Sequence, residues 1–487
     1  KEGEGPLGKY FDRIEMDSML GKRTWEEAES ELQTRTARLA IEKSGLDKEE
    51  IRYYFGGDLL AQLIATSFGS MDLEFPLFGL YGACSTMGEG LQLGSMTVAG
   101  DFADRVLVTA SSHFASADDW AAETAELLLA YGFNHADFTG VRPQYQLNAR
   151  NERILNPAEG RKNSHSVALN MLRSFMWDDA RNLPWTYDDT DRDMNRLNLI
   201  FEERYETYLD EKTREICAQV ADDPYMLGYQ LDNELGFRGW DYRYGNQDVL
   251  LHKFLALPDA AAARRYAEAF VVEKGLNRSE VMTVTKTADV VRLGLSDAYD
   301  EFRSRVAEKY YKQYHDVIRK YDRNHLIFGS RLHSNGKYDR QTLQACAKYC
   351  DVVTINYYGV WTPEADFLEE FRSWTGDRPF FVTEFYVKGE DANYDGTPYN
   401  NLSGGGWVVP SQIARGDFYQ NFCLGLLEAD NCAGWTYFAY DDAFTSTADN
   451  NCNRGLVSAK FYPWLGFLEG VGRLNRNVYA VMDRFDR

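Results

Sequence analysis

Two glutamates in this chain stand where an acid and a nucleophile are needed. The run Pro224-Tyr-Met-Leu-Gly-Tyr-Gln-Leu-Asp-Asn-Glu-Leu-Gly-Phe237 is apolar until it ends in Asp232, Asn233 and Glu234, and the run Pro379-Phe-Phe-Val-Thr-Glu-Phe385 is apolar until Glu384. A lone glutamate is ordinarily a solvated surface acid, but a bare carboxylate closing an apolar run is costly without a use. Buried strands that present acids at their C-terminal ends are what a (β/α)8 barrel offers a substrate, because its active sites are built at that face. A retaining glycosidase needs one carboxylic acid to protonate the leaving oxygen and one carboxylate to attack the anomeric carbon, with the carboxyl groups roughly 5 Å apart. On that reading Glu234 and Glu384 are the catalytic pair.

Other residues at predicted strand ends can meet a substrate. Tyr357 and Tyr358 close the run Asp351-Val-Val-Thr-Ile-Asn-Tyr-Tyr358, where either hydroxyl can hydrogen-bond Glu384 and hold it ionised. Arg173, Arg331 and His333 lie at strand ends and are candidates for substrate contact, as salt bridges or core groups otherwise. Trp177, Trp185, Trp240, Trp361, Trp407 and Trp435 fall near strand ends or in the loops after them. There they stack on sugar faces or anchor loops. Ser403-Gly-Gly-Gly-Trp407 is a candidate mobile lid without a phosphate-loop pattern. The seven histidines show no metal-ligand spacing, so neither a metal nor another cofactor is expected. Cys84, in a small-residue turn between a strand and a helix, is either a nucleophile or a small buried thiol.

The elements that must position these residues follow from periodicity. Thr24-Trp-Glu-Glu27 is a capping box, and the helix behind it stops at Ser44-Gly45. Beyond residue 118, strands are expected at 133–138, 167–175, 326–331, 351–357, 380–384 and 434–438, besides the one ending at Asp232. Helices are expected at 202–220, 297–321, 340–349, 364–374 and 412–428. Strands alternating with helices imply a parallel sheet. Seven strands are one short of a barrel, and the run Arg105-Val-Leu-Val-Thr-Ala-Ser111 is expected to supply the first.

Composition bounds the function. With 487 residues the chain is long enough for a barrel of about 250 residues and a second region. A net charge of −22 argues against nucleic acid as the partner and leaves a neutral sugar open. No apolar run reaches a membrane span, so no membrane partner is expected. No signal peptide is visible; a secreted or periplasmic location would follow from a hydrolase. The seven cysteines read as mostly buried thiols, with a disulfide among Cys423, Cys432 and Cys452 left open.

Two resemblances sharpen this reading. Residues 1–117, through Gly5-Pro-Leu-Gly-Lys-Tyr-Phe-Asp12, Gly57-Asp-Leu-Leu-Ala-Gln62, Gly79-Leu-Tyr-Gly-Ala-Cys-Ser-Thr-Met87 and Phe102-Ala-Asp-Arg-Val106, resemble part of the stage V sporulation protein AD family. That resemblance implies a truncated thiolase-like α/β segment, places the family's cysteine at Cys84 and suggests binding of a small aromatic diacid such as dipicolinate. Residues 118–487 are similar to the clan of barrel glycoside hydrolases with glutamates after strands four and seven, most of all to β-agarases. This second resemblance implies a (β/α)8 TIM barrel with Glu234 as acid/base and Glu384 as nucleophile. It also implies Asn233 on the sugar 2-hydroxyl and Trp435, on the eighth strand, as a subsite. The expected function is retaining hydrolysis of a β-linked, agarose-type galactan. The alternatives are dipicolinate binding by the first segment and an inactive chimeric chain.

Overall fold

The computed structural model describes residues 11–15, 17, 19–58, 63–81, 85–111, 127–128, 130–138, 164–178, 197–223, 226–238, 247–394, 396–443, 451–459 and 462–485. The chain forms two compact units, Lys1–Thr124 and Ala125–Arg487.

In the first unit the helix Trp25–Ser44 begins at Thr24, whose hydroxyl accepts the Glu27 N–H at 3.3 Å. The Glu27 carboxylate reaches back to the N–H of Arg23 at 3.1 Å, one residue before the position a capping box predicts. Gly45 closes the helix with a φ of 68°, a left-handed turn natural to glycine. Strands β1 (Tyr53–Asp58), β2 (Leu77–Gly79) and β3 (Val106–Ser111) form a parallel sheet in the order β2-β1-β3. The helix Thr86–Ala99 lies close on that sheet through glycine. A Cβ on Gly90 would stand 2.6 Å from Val108.

This sheet corrects one expectation. The run 105–111 was expected to be a first barrel strand, yet β3 pairs with β1 from Tyr53↔Val106 to Asp58↔Ser111. The junction between residues 115 and 120, Cys84, Trp185 and Trp240 lie outside the described residues.

The second unit is built on β4 (His135–Phe138), β5 (Ser164–Ala168), β6 (Met226–Gln230), β7 (Leu326–Ile327), β8 (Val353–Asn356) and β9 (Phe380–Glu384). Four two-residue strands follow: β10 (Lys388–Gly389), β11 (Asn393–Tyr394), β12 (Thr397–Pro398) and β13 (Val408–Val409). Strand β14 (Cys432–Trp435) completes the major set. The order is β4-β5-β6-β7 and β8-β9-β14, all parallel, joined by the bridges Phe328↔Val352 and Leu332↔Ile355. Among the described residues no strand pairs with both β4 and β14. The helices Glu203–Val220, Ser296–Tyr321, Arg340–Tyr349, Ala365–Thr375 and Gln412–Leu427 separate the strands in sequence. The class is therefore α/β with parallel strands, as the alternation implies.

Strand β9 shows why both faces are apolar: all five residues are buried. Phe380 meets Phe371 of the helix Ala365–Thr375, while Phe381 meets Phe328 and Val352 on the opposite face. The predicted strand over 167–175 breaks in two. Asn170, with a φ of 47°, ends the extended run, and Met171–Asp178 is helical with Leu172 and Phe175 buried at a spacing of three.

Candidate functional site

The C-terminal ends of β6, β7, β8 and β9 converge on the two glutamates. Asp232 fixes the end of β6 from below. It is buried, its carboxylate accepts the Leu172 N–H at 2.9 Å and the Tyr310 hydroxyl at 3.0 Å, and Tyr314 adds a further hydroxyl. With Asp232 held inward, the chain turns and Glu234 adopts a φ of 55°, its N–H bonded to the Ser330 carbonyl at 3.2 Å. A left-handed non-glycine residue costs on the order of 1 kcal/mol or more and tends to persist at functional sites.

Glu234 Oε1 accepts from Asn356 Nδ2 at 2.8 Å, and Asn233 Oδ1 lies 3.4 Å from the same nitrogen. The amide of Asn356 is oriented by its neighbour in β9, because Thr383 donates its hydroxyl to Asn356 Oδ1 at 2.7 Å. His333 brings Nδ1 to 3.7 Å from Glu234 Oε1 and sets its ring edge-on to Tyr358, centroids 5.3 Å apart. Burial lowers the His333 pKa, so the ring is neutral at neutral pH.

Glu384 is buried at the end of β9, and Oε2 accepts the Tyr358 hydroxyl at 2.8 Å. Its pKa is pushed up to about 7, first by burial and then by the charge of Glu234; Tyr358, Arg331 and His333 pull the other way. The two carboxylates therefore sense each other across one mouth. Arg331, buried with a φ of 49°, anchors its backbone N–H on Thr354 at 2.9 Å and places its guanidinium near Asn170. The Tyr358 hydroxyl is held well above its usual pKa, by burial and then by Glu384, and stays a donor.

The site gathers Asn233, Glu234, Arg331, His333, Tyr358 and Glu384, and it adds Asn356 and Thr383. No local pattern singled those two out; they reach the site because β8 and β9 pair, with Asn356 opposite Glu384. Other candidates lie elsewhere. Tyr357 turns to the helix layer, where its hydroxyl bonds Glu364 and its ring meets Phe367 and Phe422. Arg173 falls on the helix Met171–Asp178 and is exposed, instead of ending a strand. Trp177 belongs to the same helix, and its side chain lies outside the description.

Trp435 also faces outward, donating Nε1 to the Tyr419 hydroxyl at 2.9 Å; Tyr437, two residues on, bonds Arg415. By the same alternation Phe438 faces the mouth, its ring 6.2 Å from Tyr386, which stands edge-on to Tyr358 at 5.1 Å. The glycine segment expected as a lid is tied at both ends in this structure. Lys388 Nζ donates to the carbonyls of Asn401 at 2.9 Å and Ser403 at 3.3 Å, and β13 pairs with β10. Cys423, Cys432 and Cys452 are all free thiols. Among the described residues no cluster of His, Cys, Asp or Glu suits a metal ion, and no helix is long and apolar enough to cross a membrane.

Comparison with known proteins divides the chain in the same way. Residues 1–120 match the Stage V sporulation protein AD (SpoVAD) family. The Stage V sporulation protein AD of Bacillus subtilis (strain 168) is 36% identical over 118 residues, covering 24% of this chain and 35% of that protein. The chain thus spans about a third of the length of that relative. Among solved structures, BpGH50 is 30% identical with a TM-score of 0.62, over 76% of this chain and 74% of its own. An exo-beta-agarase shares the fold at 19% identity and a TM-score of 0.56, over 75% of this chain and 47% of its own. The agarase AgWH50C does so at 17% and 0.55, over 95% and 70%.

Proposed function

Since the chain belongs to the GH50 glycoside hydrolases, we propose that it cleaves a β-linked galactan of the agarose type with retention, using Glu234 as acid/base and Glu384 as nucleophile. The parallel array is read as a (β/α)8 barrel whose catalytic face is the mouth where β6 to β9 end. The observation that carries the proposal is the pair itself. Two glutamates, at the ends of β6 and β9, accept from neutral donors, Asn356 on Glu234 and Tyr358 on Glu384.

In the first step Glu384 attacks the anomeric carbon while Glu234 gives its proton to the leaving oxygen; in the second, Glu234 takes a proton from water, which releases the sugar from Glu384. A nucleophile must be ionised, whereas burial and a charged Glu234 together push the Glu384 pKa up to about 7. The coupling resolves this. With the proton on Glu234 the repulsion between the two disappears, and Tyr358 and Arg331 favour Glu384 as the carboxylate. Asn233, beside Asn356 at the mouth, takes the sugar 2-hydroxyl in this reading. Similarity to two agarases supports the substrate class, and the net charge of −22 favours a neutral chain over a sulfated one. Incubation with agarose tests the reading: wild type releases reducing ends and Glu384→Gln does not. Equal release by the two proteins would refute it.

A further inference from the structure

Two exposed indoles stand on the wall of the mouth without a role in the chemistry above. Trp361, in the segment after β8, and Trp407, just before β13, are 38% and 46% exposed. Their rings are parallel within 12°, with centroids 6.3 Å apart. Trp361 rests edge-on against the buried Phe418 at 5.2 Å. Trp407 is pinned through its carbonyl, which accepts the Lys388 N–H at 2.8 Å.

The segment that carries Trp407 is built to sit close to the catalytic residues. Gly404 and Gly406 have φ of 75° and 82°, and a Cβ on Gly406 would stand 2.4 Å from the Tyr386 carbonyl. A Cβ on Gly405 would stand 3.5 Å from the ring of Tyr358, and Tyr358 holds Glu384. Only glycine gives this path at this distance. Asn401 ties it down further, donating to the Gly389 carbonyl at 2.9 Å and accepting the Asn453 N–H at 2.9 Å. Large apolar rings held rigidly in solvent mark a binding surface, and preordered rings bind with little loss of side-chain entropy.

We propose, on the basis of the hydrolase reading, that Trp361 and Trp407 form a subsite for a neutral galactan chain extending beyond the mouth, so that this protein recognises several consecutive sugars. A pyranose offers an apolar face that stacks on indole, and two parallel indoles can take consecutive units. The acidic protein makes a sulfated chain the poorer ligand.

The test uses full-length Glu384→Gln protein titrated calorimetrically with neutral agaro-oligosaccharides from two to eight sugars. Affinity rises with length. Adding Trp361→Ala and Trp407→Ala weakens the longest ligand by about tenfold or more and the disaccharide distinctly less. The paired Trp→Phe variants, which keep an aromatic face, recover most of the loss. If the alanine variants bind every length as the parent does, or lose equally at every length, the subsite is refuted while the hydrolase reading stands. If the parent binds none of these sugars, the galactan reading and the subsite fail together.

Discussion

The two units solve the problem of burying apolar surface with unequal success. In the second, one cluster runs from Val167 to Leu474 and takes in strands and helices alike. In the first, the cluster is Ala37, Ile51, Tyr54, Leu73 and Leu107, while Phe68, Met71, Met87, Leu91, Met96 and Phe102 are exposed. Its interior is partly polar: Tyr54 donates to Gln33 at 2.9 Å, and Gln33 donates to Thr66 and the Gly57 carbonyl. The unit that matches about a third of a longer relative is also the one whose helix Thr86–Ala99 leaves Met87, Leu91 and Met96 exposed. The lesson is that a mouth holding two acids needs the larger cluster, because like charges can be kept together only where the surroundings do not yield.

The comparison breaks first at the site. Glu384→Ala and Glu234→Ala should each lose roughly a thousandfold in turnover on a natural galactan, read from initial rates. No substitution in the first unit should approach that. Stability comes next. Arg303 is fully buried and bonds Asp248 at 2.6 Å and Asp339 at 3.0 Å, so Arg303→Met takes the buried cation from two buried carboxylates. A cost of about 3–5 kcal/mol is expected in urea unfolding of the second unit.

Proton linkage gives a smaller effect. Glu384 has a folded pKa of about 7 against 4.5 for an ordinary glutamate, so the folded state binds more protons between those values and loses stability as pH rises through them. Glu384→Gln should therefore unfold at a higher temperature than wild type at pH 8 and show no such advantage at pH 4. If Glu384 is the nucleophile, kcat/KM should also climb as pH rises towards 7. The smallest effect lies in the first unit, where Tyr54→Phe removes one hydroxyl donor to Gln33. It should cost about 1 kcal/mol, and hydrogen exchange in β1 and β3 should already be faster than in β8 and β9.

Much of this was legible in the sequence wherever period and punctuation agreed. The helix Arg340–Tyr349 and the strand Phe380–Glu384 stand where their patterns put them. Glu234 and Glu384 were visible because an acid that ends an apolar run is anomalous. Facing was less legible. Trp435 and Tyr357 lie one residue from the mouth-facing positions, and a slip of one reverses a side chain in a strand. The helix Met171–Asp178 was hidden because Leu172 and Phe175 also fit a strand, and its start depends on Asp232, 60 residues away. Asn356 and Thr383 were unreadable as site residues until β8 and β9 paired. The place of Val106–Ser111 was decided by Tyr53–Asp58, a partner that no local pattern names.

The most direct measurement of the central claim is the configuration of the product when azide rescues the alanine variants on a β-linked substrate with a good leaving group. Glu384→Ala should yield the α-glycosyl azide, because azide takes the place of the missing nucleophile. Glu234→Ala should yield the β-glycosyl azide, because azide attacks the sugar already held on Glu384. A β-azide from Glu384→Ala, or no rescue of either variant, would contradict the account.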